Sequence, residues 1–145
     1  NAMCQFVTIF AAVLHLRSGL VRYANGGHNR PYLISAGGTP VQVPAVDGVA
    51  LGVMSQVDYQ LGSLQLADGD TLFLYSDGVT EALDVANELY GETRLESVLA
   101  ELSQSTVSAT LWNERILDEV ENFAQGRTQA DDITMLTVRF RFPDD

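Results

Sequence analysis

Two short carboxylate motifs constrain this sequence most: one directly follows an apolar run, and the other directly precedes an alternating run. The run Leu72–Tyr75 is typical of a strand buried on both faces, and the tetrad Ser76–Val79 follows it directly. The pair Asp131-Asp132 precedes Ile133–Phe142, where apolar and polar residues alternate as in a half-buried strand. If these strands are antiparallel neighbours, the end of one lies beside the start of the other. Asp77 and Asp131 then meet at the rim of a sheet.

Each of these motifs also has a simpler interpretation. Asp-Gly after a strand usually forms a turn, because both residues tolerate the backbone angles that turns need. Neither short motif is specific alone. Together they carry more weight, because each one interrupts a strand where the other can reach it. Hard carboxylate oxygens suit Mg²⁺ or Mn²⁺, so the pattern predicts a metal site at Asp77 and Asp131.

The composition predicts one soluble domain. A chain of 145 residues, 46% of them hydrophobic, can bury one core. Asn1 and Ala2 resemble a cloning remnant, so the domain is expected to span residues 3–145. No apolar stretch approaches the roughly 20 residues of a membrane span, and no signal peptide is evident. We therefore expect a cytoplasmic protein. The single cysteine, Cys4, excludes an internal disulfide and is expected to be a core residue.

The charge is acidic and unevenly distributed. The net charge is -11, all 19 acidic residues lie at or after Asp47, and all 8 basic residues are arginines. Such a surface repels nucleic-acid phosphates over a Debye length of about 10 Å, which argues against a nucleic-acid partner. It is compatible with cation binding, although most of these carboxylates are expected only to solvate the surface.

The order of periodicities predicts an α+β fold with a mostly antiparallel sheet. The predicted strands are Cys4–Leu16 and Leu20–Ala24, which form a hairpin, then Pro31–Ser35, Val41–Val43, Tyr59–Leu66 and Thr71–Ser76. Helical spacing follows at Leu95–Leu102 and again at Ala109–Phe123, before the last strand. Ser105 or Thr106 is expected to cap the second helix, Gly126 to end it, and Trp112 to lie in the core.

Six motifs carry a family resemblance in their order and spacing. They are Phe6-Val7-Thr8-Ile9-Phe10, Tyr23-Ala24-Asn25-Gly26-Gly27-His28-Asn29-Arg30-Pro31, Leu51-Gly52-Val53, Asp68-Gly69-Asp70-Thr71, Leu74-Tyr75-Ser76-Asp77-Gly78-Val79-Thr80-Glu81-Ala82 and Ala130-Asp131-Asp132-Ile133-Thr134. The chain resembles the bacterial, sporulation stage II protein E-like branch of the metal-dependent PPM (protein phosphatase 2C-like) serine/threonine phosphatases. The resemblance extends from Phe6 to about Phe140 and implies a β-sandwich flanked by helices.

The resemblance implies roles for the carboxylates at the predicted rim. Asp77 and Asp131 match the family's metal-binding aspartates, Gly78 belongs to the same metal motif, and Asp132 is expected to support the ligands from the adjacent position. In this family two metal ions, Mn²⁺ or Mg²⁺, activate a water that attacks the phosphoryl group in line. The expected substrate is a phosphoserine or phosphothreonine protein.

One family feature is missing from this sequence. The family's first metal aspartate lies upstream of the segment that corresponds to Phe6–Phe10, and here no acidic residue precedes Asp47. We therefore expect the C-terminal portion of a longer phosphatase domain, a sandwich incomplete at the N-terminus, that is inactive or impaired by itself. Strand edges and apolar surface left without cover are expected to favour self-association.

Two histidines have different expected roles. His28 occupies a position that is usually histidine in this bacterial branch, where it either protonates the leaving group or shapes the glycine-rich turn. His15, inside the first strand, is expected to be structural.

The resemblance also implies partners. The branch often acts on a phosphorylated anti-sigma factor antagonist of the STAS type, and a sensory domain often precedes the phosphatase. Two alternatives remain: a non-catalytic interaction module (a pseudophosphatase), and an acidic Ca²⁺-binding domain, which is disfavoured because no dense acidic loop of the EF-hand type is present.

Overall fold

The computed structural model describes residues 5–129 and 131–143. In chain order, the elements of these residues are β1 (Ile9–His15), β2 (Leu20–Gly26), β3 (Tyr32–Ile34), β4 (Pro40–Gln42), β5 (Gly62–Gln65), β6 (Thr71–Tyr75), α1 (Gly91–Ser103), α2 (Ala109–Ala124) and β7 (Met135–Arg139). Antiparallel pairing builds one sheet in the order β1-β2-β5 and another in the order β4-β3-β6-β7. The predicted α+β class with antiparallel sheets is confirmed.

The four-stranded sheet is covered on both faces. Phe73 and Tyr75 of β6 pack with the buried faces of α1 and α2, whereas Leu72 packs with Tyr23 of the other sheet. Successive side chains of a strand point to opposite faces, so β6 alternates between these two environments. The prediction that this strand is buried on both sides is confirmed, as is the burial of Trp112.

Strand β6 pairs antiparallel with β7, which is the condition under which the two carboxylate motifs were expected to meet. Tyr75 lies opposite Met135 and Thr71 lies opposite Arg139. The end of β6 therefore adjoins the start of β7, and the following residue, Ser76, continues the pairing through its N–H, which donates to Thr134 O at 2.9 Å. This register places the two carboxylate motifs at the same end of the sheet.

Several predicted strands are shorter in the structure. The strand expected from Tyr59 begins at Gly62, because residues 59–60 bond to an earlier connection instead of to β2. The phenol of Tyr59 donates to Val49 O at 2.9 Å, and Gln60 N–H donates to Asp47 O at 3.0 Å. The first strand likewise begins at Ile9.

The helix boundaries correct one sequence prediction. The N-cap of α2 is Ser108, so the expected cap at Ser105 or Thr106 is wrong. Ser105 is used elsewhere: its hydroxyl donates to Leu102 O at 2.6 Å and so closes the end of α1. At the other end of α2, Gln125 adopts the left-handed conformation (φ 51°), and the predicted stop at Gly126 follows directly.

Some predictions fall outside the described residues: the remnant Asn1–Ala2, the core role of Cys4, and the start of the last motif at Ala130. In the part of the chain that the structure does describe, no helix is long and apolar enough to cross a membrane.

Candidate metal centre

The hydroxyl of Ser76 joins the two carboxylate motifs. Its Oγ donates to Asp132 O and accepts from Thr134 N–H, both at 2.9 Å. Together with the main-chain bond from Ser76 N–H, these contacts tie the residue before Asp77 to the residues after Asp131. We call this set of three hydrogen bonds the Ser76 bridge. It extends the β6–β7 pairing beyond the last ladder pair and holds the two motifs side by side.

Gly78 allows the two main chains to approach closely. A Cβ atom at this position would lie 2.4 Å from Asp132 O and 3.2 Å from Asp131 O. Real Cβ atoms do not come that close to a carbonyl oxygen. The φ angle of Gly78 is not in the left-handed region, so glycine is required here by space and not by backbone conformation.

The carboxylates of this rim face solvent. Asp77, Asp131 and Asp132 are all exposed. The Oδ1 atom of Asp131 accepts a 2.7 Å hydrogen bond from Asp132 N–H, which orients that carboxylate. The main-chain oxygen of Asp77 accepts from Glu81 N–H at 2.8 Å and so fixes the turn that carries its side chain. The structure thus brings together the main chains that carry the predicted metal ligands.

The candidate ligands at this rim are suitable for Mg²⁺ or Mn²⁺, but there are few of them. Carboxylate oxygens are the ligands that Mg²⁺ and Mn²⁺ prefer. Within residues 5–129 and 131–143, no cluster of three or more His, Cys, Asp or Glu side chains has the spacing of a metal site. Mg²⁺ retains several waters when one or two carboxylates hold it, so Asp77 and Asp131 fit a water-rich site.

A Gly78→Ala substitution tests the close approach at this rim. We expect it to destabilise the fold by roughly 1–3 kcal/mol, because the added methyl group must push the 131–132 segment away. Urea unfolding measures the loss. Gly38→Ala is the control: its φ is also ordinary and its nearest contact, Ser35 Cβ, is 3.2 Å away, so the effect should be smaller. Equal midpoints for the wild type and Gly78→Ala would contradict the steric argument.

The loop that carries His28 is held by its main chain. The side chain of Asn25 is buried; its Nδ2 donates to His28 O at 2.8 Å, and its Oδ1 accepts from His28 N–H at 2.7 Å. Gly27, at φ 72°, completes the turn. The imidazole takes no part in this clamp. Its Nδ1 shares a 3.1 Å hydrogen bond with Thr8 Oγ1, so the ring is positioned independently of the turn.

The His28 loop also approaches the end of β6. Asn29, the next residue, lies near the phenol of Tyr75, the last residue of that strand. Burial raises the pKa of the Tyr75 phenol, and the nearby Glu92 raises it further, so this phenol stays protonated at neutral pH. Among the described residues, no hydrogen bond joins His28 itself to Asp77 or Asp131. His15 bonds to Ser18 Oγ at 2.8 Å within its hairpin.

Two site residues were not singled out from the sequence. Ser76 and Asn25 position the candidate groups through hydrogen bonds to main-chain atoms. Ser76 bonds to a residue 56 positions later in the chain, and Asn25 bonds to one three positions later. A serine at the end of a strand and an asparagine before Gly-Gly are each common in turns. The only available signal was their place inside motifs, and it does not reveal the bonds that they form.

Comparison with known families gives a match over nearly the whole chain. The model of the family described as stage II sporulation protein E (SpoIIE) matches residues 1–141. Protein IcfG of Synechocystis sp. is 30% identical over 137 residues, which is 94% of this chain and 21% of that protein. The phosphoserine phosphatase RsbU of Bacillus subtilis is 31% identical over 77 residues, 53% of this chain and 23% of RsbU.

Solved structures show the same fold. The phosphatase domain of SpoIIE from Bacillus subtilis, presoaked with Mn, superposes with a TM-score of 0.70 at 17% identity, over 95% of this chain and 58% of that one. The RsbU and RsbW domains of Rv1364c from Mycobacterium tuberculosis give 0.73 at 24% identity, over 95% of this chain and 37% of that one. The chain thus spans about a fifth of the two sequence relatives and 37–58% of these two structures.

Proposed function

Because this chain belongs to the stage II sporulation protein E family, we propose that it forms the C-terminal part of a metal-dependent phosphatase acting on phosphoserine or phosphothreonine proteins. The observation that supports this most is the Ser76 bridge. It holds Asp77-Gly78 against Asp131-Asp132 at one end of the sheet, which is the arrangement that a shared metal site requires.

In this proposal Asp77 and Asp131 hold Mn²⁺ or Mg²⁺. The bound metal would supply a polarised phosphoryl oxygen and a water of lowered pKa. The chain's own contribution is positional. The Ser76 bridge fixes the separation of the two strands, the Asp132 N–H orients the carboxylate of Asp131, and Gly78 lets the main chain of residues 131–132 approach closely. Asp132 is the adjacent residue that supports the pair.

The proposal assigns His28 to the departing serine oxygen. The serine oxygen would leave as an unstable alkoxide anion unless it is protonated, and imidazole is the side chain best suited to deliver a proton near neutral pH. The ring is half-buried, and its Nδ1 is occupied by Thr8 Oγ1, which leaves Nε2 as the atom that would act. The clamp by Asn25 keeps the main chain of His28 in place without using the ring.

The relatives suggest the signalling context. RsbU is named as a phosphoserine phosphatase, and Rv1364c carries an RsbU domain together with an RsbW domain. We propose a phosphorylated regulator of a sigma-factor pathway as the substrate, of the STAS anti-sigma factor antagonist type. A sensory domain elsewhere in the parent protein and a cytoplasmic location belong to the same proposal.

Metal titration of the chain tests the first step. We expect Mn²⁺ to bind weakly, because two carboxylates leave most coordination positions to water. Isothermal titration calorimetry should detect a heat of Mn²⁺ binding for the wild type. The double variant Asp77→Asn/Asp131→Asn should lose this heat. The charge-matched control is Asp58→Asn/Asp118→Asn, since both side chains are exposed and lie far from the rim in sequence. Tight binding that survives the first double variant would place the metal elsewhere.

One observation supports a second candidate, a non-catalytic interaction module. The described residues contain no cluster of three metal-ligating side chains. An assay separates the two functions: Mn²⁺-dependent phosphate release from a phosphoserine protein by the parent domain supports the enzyme. Binding of the phosphoprotein without any release supports the module.

A further inference from the structure

A cavity lined in part by two arginines lies at the opposite end of the four-stranded sheet from the candidate metal centre. It adjoins the register pair Thr71 and Arg139, which stand at the start of β6 and the end of β7. Tyr75 ends β6 four residues later, so the cavity and the rim are separated by about 13 Å along the strand. The cavity has a volume of about 190 Å³, and loops around Ser35, Gly69 and Ser105 complete its wall.

The wall of this cavity is basic in an otherwise acidic protein. Two of the chain's eight arginines, Arg139 and Arg141, line it, and no described lining residue is Asp or Glu. Arg141 is paired with Asp68 at 3.1 Å. Arg139 is half-buried, and no described carboxylate lies within salt-bridge distance of it. A partly buried guanidinium is normally paired, because removing its charge from water is costly.

The hydrogen bonds of Arg139 leave most of its donors unused. Its Nε donates to Thr71 Oγ1 at 3.3 Å, and its Nη1 donates to Val107 O at 2.8 Å. A guanidinium has five N–H groups in a rigid fork, so three remain without a described acceptor. Its Cζ lies 5.2 Å from the ring centre of Trp112, and this stacking holds the group in place.

Thr71 adds a donor to the same wall. Its hydroxyl accepts from Arg139 and donates to no acceptor among the described residues, so its hydrogen is available to a bound group. The ring of Trp112 also lines the cavity, but its Nε1 is fully buried and lies out of reach of a ligand there.

The size of the cavity suits a small group. Its volume of about 190 Å³ is smaller than the sites of drug-sized ligands. Oxyanions such as phosphate accept several hydrogen bonds, and the arginine fork binds them bidentately. The two bonds to Thr71 and Val107 leave the other N–H groups of Arg139 available for such an anion.

We propose that this cavity binds one small oxyanion of the phosphate type, held by Arg139 with Thr71. The anion is either inorganic phosphate or the phosphoryl group of a small monoester. The site is separate from the candidate metal centre and does not depend on Asp77 or Asp131.

Intrinsic fluorescence tests the proposal directly, because Trp112 is the one tryptophan in the chain. The chain is titrated with inorganic phosphate in a buffer that contains a metal chelator. Sodium chloride at the same ionic strength serves as the blank. A parallel titration uses O-phosphoserine. We expect a saturable change with phosphate that chloride does not produce. A response to both phosphate and O-phosphoserine identifies a site open to monoesters, and a response to phosphate alone identifies one for the free anion.

Arg139→Gln should weaken phosphate binding about tenfold or more, since it removes charge-assisted hydrogen bonds. Arg94→Gln is the matched control and should bind like the wild type. Arg94 also stacks on an aromatic ring, that of Phe123 at 4.6 Å, and also donates to main-chain oxygens, those of Leu89 and Tyr90. Asp77→Asn should leave phosphate binding unchanged.

A second variant tests the cavity independently, in case Arg139→Gln does not fold. Ala36 is exposed and lines the cavity, so Ala36→Leu narrows the space without touching Arg139 and should also weaken phosphate binding. The proposal is overturned if phosphate and chloride give the same response. It is equally overturned if folded Arg139→Gln or Ala36→Leu binds phosphate as the wild type does.

Discussion

Replacing Asp77 or Asp131 with alanine in the intact parent domain is expected to abolish Mn²⁺-dependent hydrolysis of a phosphoserine protein. Each change removes a carboxylate from the proposed metal pair, and we expect a loss on the order of 10²–10³-fold or more in kcat. The supporting residue should matter less: Asp132→Asn should cost on the order of 10–100-fold. Phosphate release measured over a range of Mn²⁺ concentrations separates weaker metal binding from a slower chemical step.

The control for these variants is Asp118→Asn, an exposed carboxylate on α2. This substitution removes one negative charge, as the substitutions at the rim do. It changes no residue of the Ser76 bridge. Full activity of Asp77→Ala toward a phosphoprotein would disprove the metal assignment, and with it the proposed phosphatase activity.

The second large effect is expected at His28. If its imidazole protonates the leaving serine, His28→Ala should reduce hydrolysis of a phosphoserine substrate by on the order of 10²–10⁴-fold. An aryl phosphate has a leaving group that needs no proton, so most of this loss should disappear with that substrate. Steady-state rates with both substrates give the comparison.

The Asn25 clamp supplies a matched variant for this test. Asn25→Ala removes both hydrogen bonds to the main chain of His28 but leaves its ring chemically intact. It should lower stability and affect both substrates alike, because it loosens the turn. A modest, substrate-independent loss in His28→Ala, similar to that of Asn25→Ala, would show that His28 only supports the loop.

Much of the architecture could be predicted from local patterns. The four-residue apolar run at Leu72–Tyr75 identified the strand buried on both faces, and the spacing of Leu95, Val98, Leu99 and Leu102 identified the buried face of α1. These patterns are informative because a strand or helix has a fixed period, so the positions that face the core follow from the sequence alone. The same patterns left open which strands are neighbours, and the structure shows that β6 pairs antiparallel with β7.

Predictions that depended on competition between groups were less accurate. Ser105 and Thr106 are both residues that cap helices, yet the N-cap is Ser108, because Ser105 bonds to the end of α1 instead. The expected strand from Tyr59 was shortened for a similar reason, since its first residues found other partners at Val49 and Asp47. Propensity describes one segment, whereas the outcome depends on which partners the folded chain brings within reach.

The sequence by itself determined the fold class, the order of the elements and the two motifs that carry the candidate metal ligands, because all three follow from the chain's periodicity and residue order. Only the tertiary structure decided that Ser76 bridges those motifs, that Asn25 rather than the imidazole holds the His28 turn, and that Arg139 faces a cavity without a described carboxylate. The physical reason is distance along the chain. Ser76 lies 56 residues from Asp132, and Thr71 lies 68 from Arg139, so their hydrogen bonds exist only once the sheet has formed.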